Sequence, residues 1–362
     1  MSIDKKFWKN KSVFITGATG FKGSWLCLWL NSLGANVYGL SRDISTKANL
    51  FNMCKLHSDV NLLKGDVSSK DSLLEALIIA KPEVIIHMAA QPFVGLSYDE
   101  PVKTYEINMM GTVNLLEAVR IAVHRNIPVK ALINVTTDRC YEDKDWVWGY
   151  REEDALGGLD PYSNSKACSE FVTMSYRNSF FNPEEYDSHG VGIASARPGN
   201  IIGGGDFGKD RLIPDVVRAI STGTTVKIKN PLATRPWQFV LEPLEGYLLL
   251  AQKLVENGRR YSCSWNFCPN EQNAKSVEWI VQQLCERWGD GASYITEKIV
   301  QSDGGNYVRG DSSRAKNELC WNPNWSINQS LDSIVEFTRA HQGNLDLRSL
   351  CLTQLDRYCE TV

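Results

Sequence analysis

The sequence lacks most of the features that assign a chain to a simple physical class. It has no apolar run of membrane-spanning length, no internal repeat and no low-complexity stretch. A bilayer helix, a solenoid and a disordered tail are therefore not expected. Charge of one sign is also missing: 39 Lys and Arg stand against 42 Asp and Glu, a formal net charge of -3. The cations are scattered, so no basic face is expected for nucleic acid or for an anionic membrane. Ten cysteines are present, yet none forms a Cys-x-x-Cys pair, and Cys263 and Cys268 have no histidine nearby to complete a zinc site. Cys27 and Cys168 fall in helical apolar patterns, where a thiol acts as a small hydrophobe. With no secretory leader read, reduced thiols and a cytoplasmic location are expected, and no metal. What these absences leave is small-molecule chemistry on a chain of 362 residues, enough for a large core in one or two domains.

What is present is a rhythm. Residues 11–16 form a β-branched and aromatic run, and Phe21 to Leu33 carries apolar residues at helical spacing until Gly34 ends it. Further strands are expected at 36–40, 60–63, 83–88, 131–135 and 191–196, with helical patterns between them. These strands are nearly continuously apolar, as burial on both faces requires, and parallel neighbours need helical crossovers. The fold class is therefore α/β, a doubly wound parallel sheet. From about residue 200 the rhythm changes to a glycine-rich segment, Gly203 to Gly205, then helices with short irregular pieces. The expected division is 1–199 as a dinucleotide domain, with 237–262 packing back onto it, and 200–362 as mainly a smaller α/β substrate domain.

"TGATGFKG" at 16–23 joins the first strand to the first helix. Gly17 suits the tight turn, Gly20 lets the backbone approach a pyrophosphate, and Gly23 lets helix and sheet pack closely. Phe21 opens the helix that faces the phosphates. After the second strand, an acidic Asp43 would accept from ribose hydroxyls, whereas Arg42 could pair with a 2'-phosphate, so NAD and NADP both stay open. Asp66 and Val67, after the third strand, suit the adenine. Ala89, Ala90 and Gln91 end the fourth with small residues where a cofactor would cross.

The fifth strand ends in "VTTDRCY", 135–141: two hydroxyls, a carboxylate and a guanidinium in a row. Alone, this is a solvated strand end. Further on, Tyr162 and Lys166 lie four residues apart on one helix face, where the ammonium can favour the phenolate and also reach a nicotinamide ribose. A tyrosine so poised removes a hydroxyl proton while hydride leaves the same carbon.

Together with Asn108 to Gly111 and "RPGN" at 197–200, these segments resemble the extended short-chain dehydrogenase/reductases, and the resemblance spans most of the chain. It implies a Rossmann sheet. The stretches "GFKGSW" (20–25), "WGYR" (148–151), "DPYSNSK" (160–166), "IGGGD" (202–206), "DRLIP" (210–214) and "RPWQ" (235–238) are similar to the nucleotide-sugar 4,6-dehydratases, in particular those acting on CDP-glucose. The resemblance implies bound NAD, held by the glycine turn, Asp66, Val67, Ala89, Ala90, Asn108, Tyr162 and Lys166. It also implies a CDP-hexose substrate contacted by Gln91, Thr137, Asn200, Arg211, Arg235 and Tyr307. Tyr162 would deprotonate the 4-hydroxyl held by Thr137, and Asp138 would protonate the departing 6-hydroxyl. Arg139 stands where most of the family has glutamate, and CDP-glucose members lysine, as the base for C5. An arginine does not give up its proton in a protein, which makes it a poor base. Three readings stay open: Arg139 stabilises an enolate while Tyr162 or solvent accepts the C5 proton; it serves a different sugar, with C4 oxidation or epimerisation; or Glu142 or Asp143 reaches the carbon. A nucleotide-sugar 4-epimerase and a silent nucleotide-sugar-binding homologue are the alternatives. Family members generally pair through the helix bearing Tyr162 and the one before it, which implies a homodimer or homotetramer.

Overall fold

The computed structural model of the chain describes residues 3–42, 49–296 and 309–361. Twelve strands occur among them: β1 (Ser12–Thr16), β2 (Asn36–Ser41), β3 (Val60–Lys64), β4 (Val84–His87), β5 (Ala131–Val135), β6 (Gly192–Pro198), β7 (Asn200–Ile202), β8 (Val226–Ile228), β9 (Thr234–Phe239), β10 (Ser264–Phe267), β11 (Ala274–Ser276) and β12 (Tyr294–Thr296). Seven of them form one parallel sheet in the order β10-β6-β5-β4-β1-β2-β3. The chain leaves β1 toward β2 and β3, then crosses to β4 on the other side. That reversal opens a crevice at the carboxyl ends of β1 and β4, the usual ligand position in such sheets.

Both sheet faces are buried, which explains why the strands show no polar alternation. On β1, Phe14 faces the helices Lys70–Ala80 and Gly111–His124, while Val13 and Ile15 face the helices Phe21–Ser32 and Leu241–Tyr261. The same division puts Leu132 and Ile193 on the first side and Ile133 and Ala194 on the second. Each large side chain buried here contributes about 1.5–3 kcal/mol. Helix Phe21–Ser32 is buried from Gly23 to Leu30, because it contacts β2 and the helices Leu241–Tyr261 and Leu347–Cys359. Its Trp25 indole donates to the Gly204 carbonyl at 2.9 Å, and Trp29 packs edge-on against Tyr358.

The expected strands fall within a residue or two of those observed; β10 is an additional one. It pairs with β6 as the sheet's edge, after helix Leu241–Tyr261 has crossed over β5 and β6. A short strand of Trp265, Asn266 and Phe267 among tryptophan-rich helices carries no periodicity of its own. The smaller sheets, β11-β9-β7 and β12-β8, pack with helices Leu212–Ser221, Val277–Trp288 and Ile327–Gln342 around Ile202, Ile213, Trp237, Ile280 and Leu331. Trp237 is a core residue there, its indole donating to the Lys275 carbonyl at 3.1 Å. No helix among the described residues is long and apolar enough to cross a membrane.

Candidate active site

The glycine turn is constrained by contact. Gly17 has φ +74°, and a Cβ on it would lie 2.8 Å from the Ala89 amide nitrogen. A Cβ on Gly23 would overlap the Gly17 carbonyl oxygen. The turn thus closes directly on β4, and Thr16 locks the junction. Its hydroxyl accepts from the amides of Met88 and Ala89 at 3.2 Å and donates to His87 Nδ1 at 2.6 Å. Burial, then the nearby Lys166, pushes His87 down to about 3, so its imidazole is neutral.

Above the turn lies a cleft of about 520 Å³. Gly17, Gly20, Phe21 and Gly23 form its floor, and Arg42, Asp66 and Val67 line one end. Ala89, Ala90, Tyr162 and Lys166 line the other, and Arg211 reaches in from the smaller unit. These residues fit a dinucleotide: amides at a helix start, a turn that excludes side chains, a carboxylate at one end and a tyrosine–lysine pair at the other. Asp43 and Tyr307 lie outside the described residues.

At the end of β5 the chain turns through Thr137, Asp138 and Arg139, with the Arg139 amide donating to Thr137 Oγ1 at 3.4 Å. Thr137 Oγ1 donates to Asp138 Oδ1 at 3.2 Å. Asp138 is buried, and that burial raises its carboxyl to about 6, although Arg139, Thr137 and Arg235 pull it down. Burial also raises Tyr162, and Arg139 and a hydrogen bond with Thr137 oppose that rise. The five residues therefore meet at one point. Lys166 donates to the Val135 carbonyl at 3.1 Å, and burial pushes its ammonium down to about 8. Arg211 pairs with Asp206 at 3.0 Å and lies over the Phe93 ring at 4.9 Å. Asn200 begins β7, where it pairs with Trp237 on β9.

Gln91 and Asn108 are both bonded within the protein. Gln91 is buried with both ends of its amide engaged, donating to Thr104 and Phe93 and accepting from the Phe93 amide. Asn108, in a π-helical turn, holds the Gln91 backbone at 2.8 and 3.1 Å and donates to Ser165. Both brace the loop and the helix behind the cleft.

Other ionisable residues at or beneath the cleft escape the reading of motifs. Lys22 lines the cleft in the first turn of its helix, unfavourable for a cation. Burial, then Lys166 and Arg211, lowers it to about 7. A lysine at a helix start beside three glycines was the available signal. Beneath the site, Glu170 and Arg197 form an ion pair at 2.8 Å, both buried. Glu170, at the next helical step after Tyr162 and Lys166, was visible as a spacing.

The family model described as GDP-mannose 4,6 dehydratase matches residues 14–334. The chain is 48% identical over 338 residues to the CDP-glucose 4,6-dehydratase of Salmonella typhimurium, covering 93% of each. It is 26% identical to the UDP-glucose 4-epimerase of Mycolicibacterium smegmatis, over 90% of this chain and 97% of that one. Among solved structures, a dTDP-glucose 4,6-dehydratase from Bacillus anthracis in complex with NAD superposes with a TM-score of 0.73 at 22% identity, covering 93% and 99% of the two chains.

Proposed function

Since the chain belongs to the GDP-mannose 4,6-dehydratase family, we propose that it converts CDP-glucose to CDP-4-keto-6-deoxyglucose with NAD, a step toward deoxysugars. The observation that carries this reading is Asp138, a buried acid with its carboxyl near 6 beside Thr137 and Tyr162. Oxidation at C4 alone needs the tyrosine; elimination needs a proton donor as well.

NAD, when bound, supplies an acceptor for the C4 hydride and the donor that returns it to C6. Thr137 holds the 4-hydroxyl, and the Tyr162 phenolate takes its proton. Lys166 orients the nicotinamide ribose. The 4-ketone acidifies C5; as the C5 proton leaves, Asp138 gives its proton to the 6-hydroxyl, which departs as water. Arg139 cannot serve as base, and its charge beside Tyr162 and Asp138 supports the enolate. The C5 proton goes to solvent, or to Tyr162 after its phenol has passed the first proton to solvent, and when hydride returns to C6 the enolate takes a solvent-derived proton at C5. Arg211 and Arg235 hold the substrate diphosphate, with Asn200 at the junction.

We assign NAD binding to 1–199 together with 237–262, and CDP-hexose binding mainly to 200–362. Helix Pro161–Phe180 leaves Phe171 and Met174 exposed on one face, which supports pairing of two copies through this helix. The free thiols of all ten cysteines suit a cytoplasmic location.

Incubation with CDP-glucose and NAD in heavy water tests the reaction. The 4-keto-6-deoxy product, detected by its alkaline absorbance, with deuterium at C5 is expected. A product changed only at C4 and retaining its C5 hydrogen assigns the chain as an epimerase. Binding of NAD and NADP side by side decides the role of Arg42; stronger NAD binding is expected.

A further inference from the structure

Three ionisable side chains descend one face of helix Pro161–Phe180 at four-residue steps: Tyr162, Lys166 and Glu170. The first two line the cleft, whereas Glu170 lies beneath it and is 2% exposed. Its Oε1 accepts from Thr136 Oγ1 at 2.5 Å, which ties the helix to the end of β5 one residue before Thr137. Its Oε2 accepts from Arg197 Nη2 at 2.8 Å and from Ser264 Oγ at 3.4 Å. Arg197 in turn donates to the Tyr141 hydroxyl and the Glu152 carbonyl, both at 2.9 Å. One carboxylate thus joins the tyrosine–lysine helix, the strand end bearing Thr137 and Asp138, and the edge strand β10.

We infer that Glu170 is a positioning residue with two tasks: it fixes the end of β5 against the helix of Tyr162, and its negative charge keeps Lys166 an ammonium. This rests on the proposed reading of Tyr162 and Lys166 as the proton-handling pair. A desolvated lysine tends to lose its proton unless an anion faces it. The groups around Lys166 are Lys22 from helix Phe21–Ser32, His87 at the end of β4, Cys140 after β5 and Glu170 on its own helix. Lys22 is cationic or neutral, His87 is neutral, and burial pushes the Cys140 thiol up, leaving it protonated. Glu170 is the anion of the set. Burial opposes its charge, but Arg197 and the Thr136 and Ser195 hydroxyls more than offset this and hold the carboxyl below its ordinary range.

Competitive labelling with acetic anhydride between about pH 6 and pH 10, read by mass spectrometry, follows Lys166 without any sugar nucleotide. The wild-type midpoint is expected at about 8. Glu170→Gln is expected to lower it by roughly half a unit or more. Because that variant leaves the Arg197 guanidinium buried without its anion, the double variant Glu170→Gln with Arg197→Met is measured too, and the same downward shift is expected. Thr136→Val keeps both charges and leaves the midpoint in place. An unmoved midpoint in either folded Glu170 variant overturns the inference. With CDP-glucose, the high-pH fall of C4 oxidation alone, read as transient reduced cofactor and so separate from the elimination that Asp138 serves, shifts downward with the labelling midpoint in Glu170→Gln, with KM changed little. A wild-type chain that forms no dehydrated product refutes the functional reading instead, and the labelling still decides the charge of Lys166.

Discussion

Asp138 owes its acidity to a contest between burial and three neighbours. Burial raises the carboxyl, and Arg139, Thr137 and Arg235 lower it, with a result near 6. A general acid must hold its proton when the leaving group departs, so the elimination is expected to slow as pH rises through about 6. Asp138→Asn removes that proton at nearly constant volume. Product formation is expected to fall by about 10²- to 10⁴-fold, while calorimetry finds NAD and CDP-glucose bound within a few-fold of wild type. Equal loss of binding and rate would assign Asp138 to substrate holding instead. Arg139 shows what a sequence conveys at this scale. Its chemistry excludes it as a base from the residue name alone, but that its charge opposes the burial of Tyr162 emerges only when β5 and the tyrosine helix are brought together.

Within elements, legibility followed repetition and contact range. The glycine turn, the apolar strands and the Tyr162–Lys166 step are each set by neighbours a few residues apart, so local pattern reveals them. Gln91 and Asn108 are not: a glutamine after a strand and an asparagine in a helix suggest ligand contacts. Their hydrogen bonds to each other across seventeen positions, and to Thr104 and Ser165, add a bracing role that local pattern does not show. β10 was illegible for the same reason, since its partner β6 lies some seventy positions earlier. The turn itself supplies a prediction. A methyl group on Gly23 meets the Gly17 carbonyl and the Ala18 backbone, neither of which can move away without lifting the turn from β4. Gly23→Ala is expected to weaken NAD binding by about tenfold or more, since amide donors at a helix start act only in register. Isothermal titration checks it; unchanged affinity would mean that the turn has slack.

At the scale of the whole molecule, the C-terminal helix Leu347–Cys359 is held to helix Leu241–Tyr261 through a buried polar cluster. The Tyr358 hydroxyl lies 2.8 Å from a Glu245 oxygen and 3.1 Å from a Glu242 oxygen, with one proton shared between them, and Glu242 also accepts the amides of Asn324 and Trp325. Both carboxyls are raised, chiefly by burial, Glu242 to about 8 with Glu245 contributing, and Glu245 to about 7. A carboxyl raised in the folded state keeps a proton that the unfolded chain releases near its ordinary value of 4.5. The folded state therefore binds more protons between that value and about 8, and stability falls as pH rises through this window. Below the ordinary value, both states are protonated and nothing is lost. Glu245→Gln preserves an acceptor for Tyr358 while removing one of the two charges that crowd the site. Its Tm is expected to depend less on pH than that of the wild type and to exceed it at about pH 8, by a few degrees for a gain of about 1 kcal/mol in a chain of this size. Thermal unfolding in buffers from about pH 5 to pH 9 checks the sign. A wild-type Tm that climbs with pH across that range would show that the cluster is ionised when folded, with the three donors on Glu242 outweighing its burial.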